Sequence, residues 1–342
     1  MKGKNFKVIF RLLVFVTVIG LLVGCIGQAQ EQATSRVVTD MAGRTIEIPI
    51  EVNRIITISP MATQCVFAVQ GQENLVGICL GPAVKGEAMT KIYSRVKDLP
   101  QPGSPKGVNI EELLLLKPDV VIGQFNPSIV NKIEETKIPF VCIYPESPKL
   151  LVDSIKLMGK VLGKDKEAED TISYFNKKME YITDRTLKID KKLKVYVAGS
   201  SKLKTFGGDF YQTYLVENAG GISVSKDIKG GKIEVSVEQI LEWDPDFILL
   251  TPYCKDSVGD ILSDSQLQEI RAIRNRKVYQ MPKYIVSWDL PVPESFLGMV
   301  WLANKLYPEV VNFDMNQEIK EFYSTVYKYD IPDEDITKLL EE

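Results

Sequence analysis

The side chains that carry most enzyme chemistry are missing or scattered in this chain. No histidine occurs in 342 residues. That removes Ser-His-Asp and Cys-His constellations and zinc sites with imidazole ligands. It also argues against capture of a bare transition-metal ion, which commonly recruits histidine. The 45 Asp and Glu residues are spread along the chain, and spacing alone places no two of them as an acid–base pair. No Walker-type phosphate loop is present, and no G-x-G-x-x-G stands between a strand and a helix. What stands out instead is a set of aromatic residues in turn-rich segments. Tyr284 and Trp288 precede Pro291 and Pro293, Phe206 and Tyr211 flank Gly207 and Gly208, and Tyr253 follows Pro252. Flat apolar faces with a polar edge, on stiff or glycine-opened loops, suit a binding pocket. The expected chemistry is recognition, with no catalysis, no resident cofactor and no protein-bound metal.

The elements that would position those loops are announced by an internal echo. Val108–Gly123 aligns without a gap on Val235–Leu250, 127 residues later. Each copy reads as one unit. Asn109 and Ser236 have the N-cap residue types, and a short helix follows with Ile110, Leu113 and Leu114, or Val237, Ile240 and Leu241, on one face. Pro118-Asp119 and Pro245-Asp246 then break the helix. An unbroken apolar run closes each copy, as a strand covered on both faces of a parallel sheet requires. The chain is therefore expected to be α/β, with two similar lobes.

The remaining pattern fits this frame. Val37–Asp40 and Arg44–Pro49 predict a hairpin. Arg54–Pro60 predicts a strand feeding a helix over 62–70, and Leu75–Leu80, Val120–Gly123 and Phe140–Tyr144 predict further strands joined by right-handed crossovers. From Pro148 the spacing turns helical. A helix over 164–191, with Ile172, Phe175, Met179 and Ile182 on one stripe, would exceed ~30 Å in length and join the lobes. Leu193–Gly199, Phe247–Leu250 and Lys277–Met281 are strands of the second lobe, and a helix over 294–306 closes it. The expected segments are 36–148, 149–191 and 192–342.

Ahead of them stands a leader. Lys2, Lys4, Lys7 and Arg11 precede a thirteen-residue apolar run, Leu12–Gly24, too short for a spanning helix of ~20 residues. The run ends at Leu22-Val23-Gly24-Cys25, the context of a lipoprotein cleavage site. Residues 1–24 are expected to be removed, Cys25 to carry lipid, and 25–35 to act as a tether. The product is exported and membrane-anchored. Without the leader the net charge of −3 becomes −7, against the basic face that nucleic acid calls for. Cys65, Cys79 and Cys142 sit in apolar runs and Cys254 in a loop-like stretch. Their irregular spacing predicts free thiols.

With the Cys25 lipobox, Thr39–Pro49, Arg54–Pro60 and the two Glu–Pro-Asp–strand units, the chain resembles the ABC-transporter substrate-binding proteins for iron-siderophore, haem and vitamin B12. The resemblance runs from about Arg36 to Tyr323. It implies two Rossmann-like lobes joined by one long α-helix, with ligand in the cleft between lobes, a permease and its ATPase as partners, and a monomer. It also implies that Glu111 and Glu238, at matching places in the two repeats, meet arginines on the permease. Against this stands the simpler role of complementing each helix dipole.

On that fold the cleft would be lined by Trp288, Tyr284, Phe206, Tyr211, Tyr253, Met61 (in the Pro60–Thr63 turn), Phe125 (with Gln124 and Asn126) and Lys204. The ligand class is less determined. A tris-catecholate iron complex wants clustered arginines, and Arg271, Arg274 and Arg276 fall outside these turns, leaving limited charge from Lys202 and Lys204. Haem usually gains an axial His or Tyr. A small-molecule metal chelate is therefore expected, a ferric siderophore of hydroxamate or mixed type first, a corrinoid next and an oxyanion third.

Overall fold

The computed structural model describes residues 34–81 and 86–341. The leader, Cys25 and all but the end of the tether lie outside the described residues. A hairpin of Ser35–Thr39 and Thr45–Pro49 opens the fold. The first lobe is then built on Ile55–Thr57 (β1), Pro60–Ala68 (α1), Leu75–Gly77 (β2), Gly86–Ile92 (α2), Ile110–Leu115 (α3), Val120–Gly123 (β3) and Phe140–Cys142 (β4). Its strands pair in parallel in the order β2-β1-β3-β4. Every side chain of β1, β3 and β4 is buried, which is why these segments read as unbroken apolar runs.

Two helices follow, Pro148–Leu162 (α4) and Asp165–Thr186 (α5). Gly163, at φ 65°, ends α4 in the left-handed conformation that favours glycine. At 22 residues α5 is about 33 Å long. It stops five residues short of the expected end, because Ile189 already turns back on Thr186. The second lobe comprises Lys194–Ala198 (β5), Tyr211–Asn218 (α6), Ile222–Ser223 (β6), Val237–Trp243 (α7), Phe247–Leu250 (β7), Val278–Gln280 (β8) and Ser295–Leu306 (α8). Its sheet, β6-β5-β7-β8, is again fully parallel and repeats the first lobe's topology. Two helices that the sequence reading did not include, Met315–Val326 (α9) and Asp333–Glu341 (α10), complete the chain.

The internal repeat holds to the level of single hydrogen bonds. Asn109 accepts from the Glu112 amide and Ser236 from the Gln239 amide, each at 3.2 Å. After each helix one residue takes a left-handed conformation, Lys117 at φ 46° and its counterpart Asp244 at φ 42°. The aspartate of each Pro-Asp pair then anchors the lobe's first strand. Asp119 Oδ2 accepts from the amides of Asn53 and Arg54 at 2.8 Å, and Asp246 Oδ2 accepts from the Lys194 amide at 2.8 Å. A cation at the start of that strand returns to the helix end. Arg54 donates to the Leu116 carbonyl, and Lys194 Nζ donates to the carbonyl of Trp243, the matching residue.

The lobes share one apolar core. On α5, Thr171 donates to the Ala68 carbonyl of α1 at 2.8 Å. One turn later Phe175 stacks on Phe296 of α8 and Phe322 of α9, with centroids 3.4 and 6.5 Å apart. The four cysteines among the described residues are free, as expected from their spacing. Asp119→Ala should lower unfolding free energy by about 1–2 kcal/mol, since two amides lose a charged acceptor. Asp119→Asn, which keeps one oxygen, should lose less. Urea midpoints of the two variants would check this; equal midpoints with wild type would remove the anchoring role.

Candidate functional site

In both sheets the carboxyl ends of the central strands run into short loops that meet between the lobes. On the first lobe, Ser59-Pro60 leads from β1 into α1. Proline suits the first helical position, and Ser59 caps nothing: its buried Oγ has no hydrogen-bond partner. With Pro60 lacking an N–H, the amides of Met61 and Ala62 are the open donors of this helix end. Met61 is half-buried. Gln124, just past β3, donates Nε2 to Glu146 Oε1 at 3.0 Å and lies 3.5 Å from Met61 Sδ. Burial pushes the Glu146 carboxyl up, and the Gln124 bond partly offsets this. Phe125 instead turns outward, 47% exposed, under the Arg44 guanidinium at 5.2 Å.

The second lobe answers with a polar network. Asp289, 1% exposed, accepts from Gln212 Nε2 at 2.9 Å, Tyr253 Oη at 2.8 Å and Ser287 Oγ. Two buried side-chain atoms of this lobe have no hydrogen-bond partner, Gln212 Oε1 and Trp288 Nε1. Buried polar atoms of this kind ordinarily have a partner. Tyr211, at the start of α6, bonds the Ser295 hydroxyl. Glu294 fastens the loop that carries Tyr284 and Trp288. It accepts from the amides of Ile285 and Val286 at 3.1 and 2.7 Å and from the Tyr323 hydroxyl. Burial pushes its carboxyl up to about 7, against those three donors.

The lobes also meet at the flank of this crevice. Tyr327 of the second lobe donates to Gln64 Oε1 of α1 at 3.3 Å. Asp335 of α10 accepts from Lys91 Nζ of α2 and from Tyr284 Oη, both at 2.8 Å. A cavity of about 510 Å³ opens here, lined by Glu87, Lys91, Lys283, Tyr284, Asp335 and Lys338 among others.

Several expected cleft residues occupy other positions than their residue types suggested. Trp288 is fully buried, with its backbone against Gly298, where a Cβ would come within 2.4 Å of the Trp288 carbonyl. Tyr284 and Tyr211 are 7% and 1% exposed. Phe206 is buried and stacks on Phe210 at 5.4 Å. Lys204 is exposed on a strand, Lys204–Phe206, paired antiparallel with Lys232–Glu234. The openness that Gly207 and Gly208 provide is taken up by the lobe's own backbone. A Cβ at Gly207 would meet the Gly230 carbonyl at 2.1 Å, and one at Gly208 the Lys226 carbonyl at 1.8 Å. Met61, Tyr253, Phe125 and Lys204 keep solvent-accessible surface. Arg271 is held by Asp244 and Asp246, each at 2.6 Å, and Lys202 by Asp264.

Residues absent from the sequence reading of the site are Ser59, Glu146, Gln212, Asp289, Lys91 and Asp335. Only Ser59, a cap-type residue before a proline, carried a local signal. Glu111 and Glu238 are exposed on α3 and α7. The Glu238 carboxyl is held low by its own amide and by the Ser236 hydroxyl. Among the described residues no group of three or more Cys, Asp or Glu is arranged to hold a metal ion, and no helix is long and apolar enough to cross a membrane.

Comparison with known proteins extends this picture. The chain is 31% identical to the molybdate-binding protein MolA of Haemophilus influenzae, over 91% of this chain and 97% of that one. It is 22% identical to a vitamin B12-binding protein of Vibrio vulnificus, over 73% of this chain and 88% of that one. Among solved structures, a periplasmic solute binding protein from Veillonella parvula superposes with a TM-score of 0.78 at 30% identity, covering 89% of this chain and 96% of that one. Molybdate-bound MolA superposes with a TM-score of 0.77 at 27% identity, covering 87% and 99%. The family described as periplasmic binding protein matches residues 55–285. Twin parallel sheets with facing strand ends, a helical bridge and this match together make the chain a member of the periplasmic binding protein family.

Proposed function

We propose that this chain is the solute-binding component of an ABC importer, held outside the cytoplasmic membrane by lipid on Cys25, and that its solute is a small oxyanion of the molybdate type. The observation that carries the ligand class is the open end of α1. A buried serine hydroxyl without a partner stands beside free amides at the positive end of a nine-residue helix with no acidic residue in its first turn. Oriented N–H donors at a helix start are suited to anions. The likeness to the molybdate-binding relative, near-complete on both chains, supports the same class.

A ferric siderophore, first on the sequence reading, is less well served. A large chelate needs an apolar wall, and Trp288, Tyr284, Phe206 and Tyr211 turn their faces into the protein. The same holds for a corrinoid, whose binding relatives are more distant. Of the candidate tyrosines for haem, Tyr253 keeps exposed surface, and its hydroxyl is already bonded to Asp289. No catalytic role is assigned.

Calorimetric titration with molybdate, tungstate, sulfate, a ferric hydroxamate, cobalamin and haemin tests the ligand class. Molybdate or tungstate should bind and the chelates should not; tight binding of a chelate with no oxyanion response would reverse the assignment. Ser59→Ala should weaken oxyanion binding by roughly tenfold, the loss of one hydrogen bond to a charged group.

Glu111 and Glu238 are proposed to dock on the permease. The Glu111→Ala, Glu238→Ala double variant should lose uptake in cells while its calorimetric affinity is unchanged. Normal uptake would reduce both residues to helix-end charges. Cys25→Ser should abolish incorporation of labelled fatty acid into the protein; labelling of the variant equal to wild type would remove the lipid anchor.

A further inference from the structure

A groove of about 380 Å³ runs between the opening hairpin and α4 and shares no residue with the crevice loops. Its lining is amphipathic. Val38, Met41 and Leu157 give it an apolar floor, Val37 stands 64% exposed, and Lys156 and Lys160 supply charge. Neither lysine is paired with a carboxylate among the described residues. Asp153, the acidic residue of the lining, is engaged by Lys149 at 2.8 Å. Glu47, across the hairpin from Val37, accepts from Ser35 and lies outside the lining.

The charge is ordered along the helix. Lys149, Lys156 and Lys160 stand at i, i+7 and i+11, which places them along one line of α4, and all three are exposed. Leu151, Ile155 and Met158 of the same helix are in the core. Arg36 joins the hairpin to the end of this line. Its guanidinium donates to the carbonyls of Ile50, Lys160 and Val161 and meets no carboxylate. The strip thus carries four cations against Asp153, on a chain that is net negative. Apolar surface bordered by lysines suits an anionic amphiphile.

The point at which the chain enters the fold decides which amphiphile. Cys25 precedes Ser35 by ten residues, a reach of at most about 35 Å, whereas a globular body of this length is about 50 Å across. A lipid on Cys25 therefore keeps the hairpin and α4 within one body's width of the bilayer. We propose that this face rests on the anionic headgroups of the membrane that holds the anchor, with Lys149, Lys156 and Lys160 against phosphate groups and Val37 at the acyl boundary. The proposal rests on the lipidation of Cys25 put forward above. Each lysine contact is weak alone, but a short tether makes the encounter intramolecular, at an effective concentration in the millimolar range. The tether then supplies attachment, and the α4 face supplies orientation.

Lysine acetylation of the lipidated full chain in vesicles, read by mass spectrometry, tests this. In phosphatidylglycerol vesicles at low salt, Lys149, Lys156 and Lys160 should react about threefold more slowly than in phosphatidylcholine vesicles. High salt should remove the difference, and Lys229, exposed on the second lobe, should react equally in both. Val37→Glu with Lys156→Glu, at two exposed positions, should return Lys149 and Lys160 to their phosphatidylcholine rates. Equal rates in the two lipids, on protein shown to carry fatty acid, overturn the membrane face and leave the anchor standing. That outcome includes a groove filled by the chain's own tether, which would shield the lysines in either lipid. Protein without fatty acid overturns the anchor. If phosphatidylglycerol vesicles mixed with that protein still protect the three lysines, the membrane face survives; if they do not, both fall.

Discussion

One turn of helix sets the relation between the two halves of this molecule. Thr171 of α5 is bonded to the end of α1 in the first lobe, and Phe175, four residues on, is stacked between helices of the second. Burying an aromatic ring of that size stabilises by about 2–3 kcal/mol, and close-packed interiors resist gaps. This one turn of α5 is therefore in contact with both lobes at once. Everything proposed for the crevice depends on that contact. The second tie, Lys91 to Asp335, is polar and nearer the surface.

The loop over the crevice is governed by a different constraint. Residues 284–289 have no strand partner of their own beyond the Lys283–Ser287 bridge, so their amides need acceptors, and Glu294 supplies two. Burial raises this carboxyl from its ordinary value of 4.5 to about 7. It therefore binds more protons in the folded than in the unfolded chain between those values. Its contribution to stability is greatest in acid and is lost as the pH rises through 7. The same residue that orders the loop keeps Trp288 pressed on α8.

The features that were legible in the sequence are those with local causes. The cap residues Asn109 and Ser236, the Pro-Asp breaks and the apolar strand runs each act within a few residues, and the repeat made them visible twice. The hairpin at the start of the fold and the stripe on α5 follow from periodicity. The aromatic residues misled because burial is decided by partners far away in the chain. Trp288 lies on Gly298, Tyr284 reaches Asp335, and Tyr211 reaches Ser295. The glycines beside Phe206 did signal a close approach, but to residues 226–230 of the same lobe. The acidic first turn of α10, with Ile336 and Leu339 one turn apart, was a readable helix. That Asp335 crosses to Lys91 was not, since nothing local specifies a contact over 244 residues.

The buried cysteines bear on how long such a protein lasts outside the cytoplasm. Disulfide exchange and oxidation proceed through the thiolate. Burial pushes the Cys65 thiol up to about 12 and those of Cys79 and Cys142 up to about 11. At neutral pH that leaves the Cys65 thiol protonated, on a side chain with no exposed surface. The core can keep these small, polarizable fillers in an oxidising compartment without the hazard of mispairing. Thiol chemistry is silenced by desolvation, and the fold has no need of a crosslink to hold it.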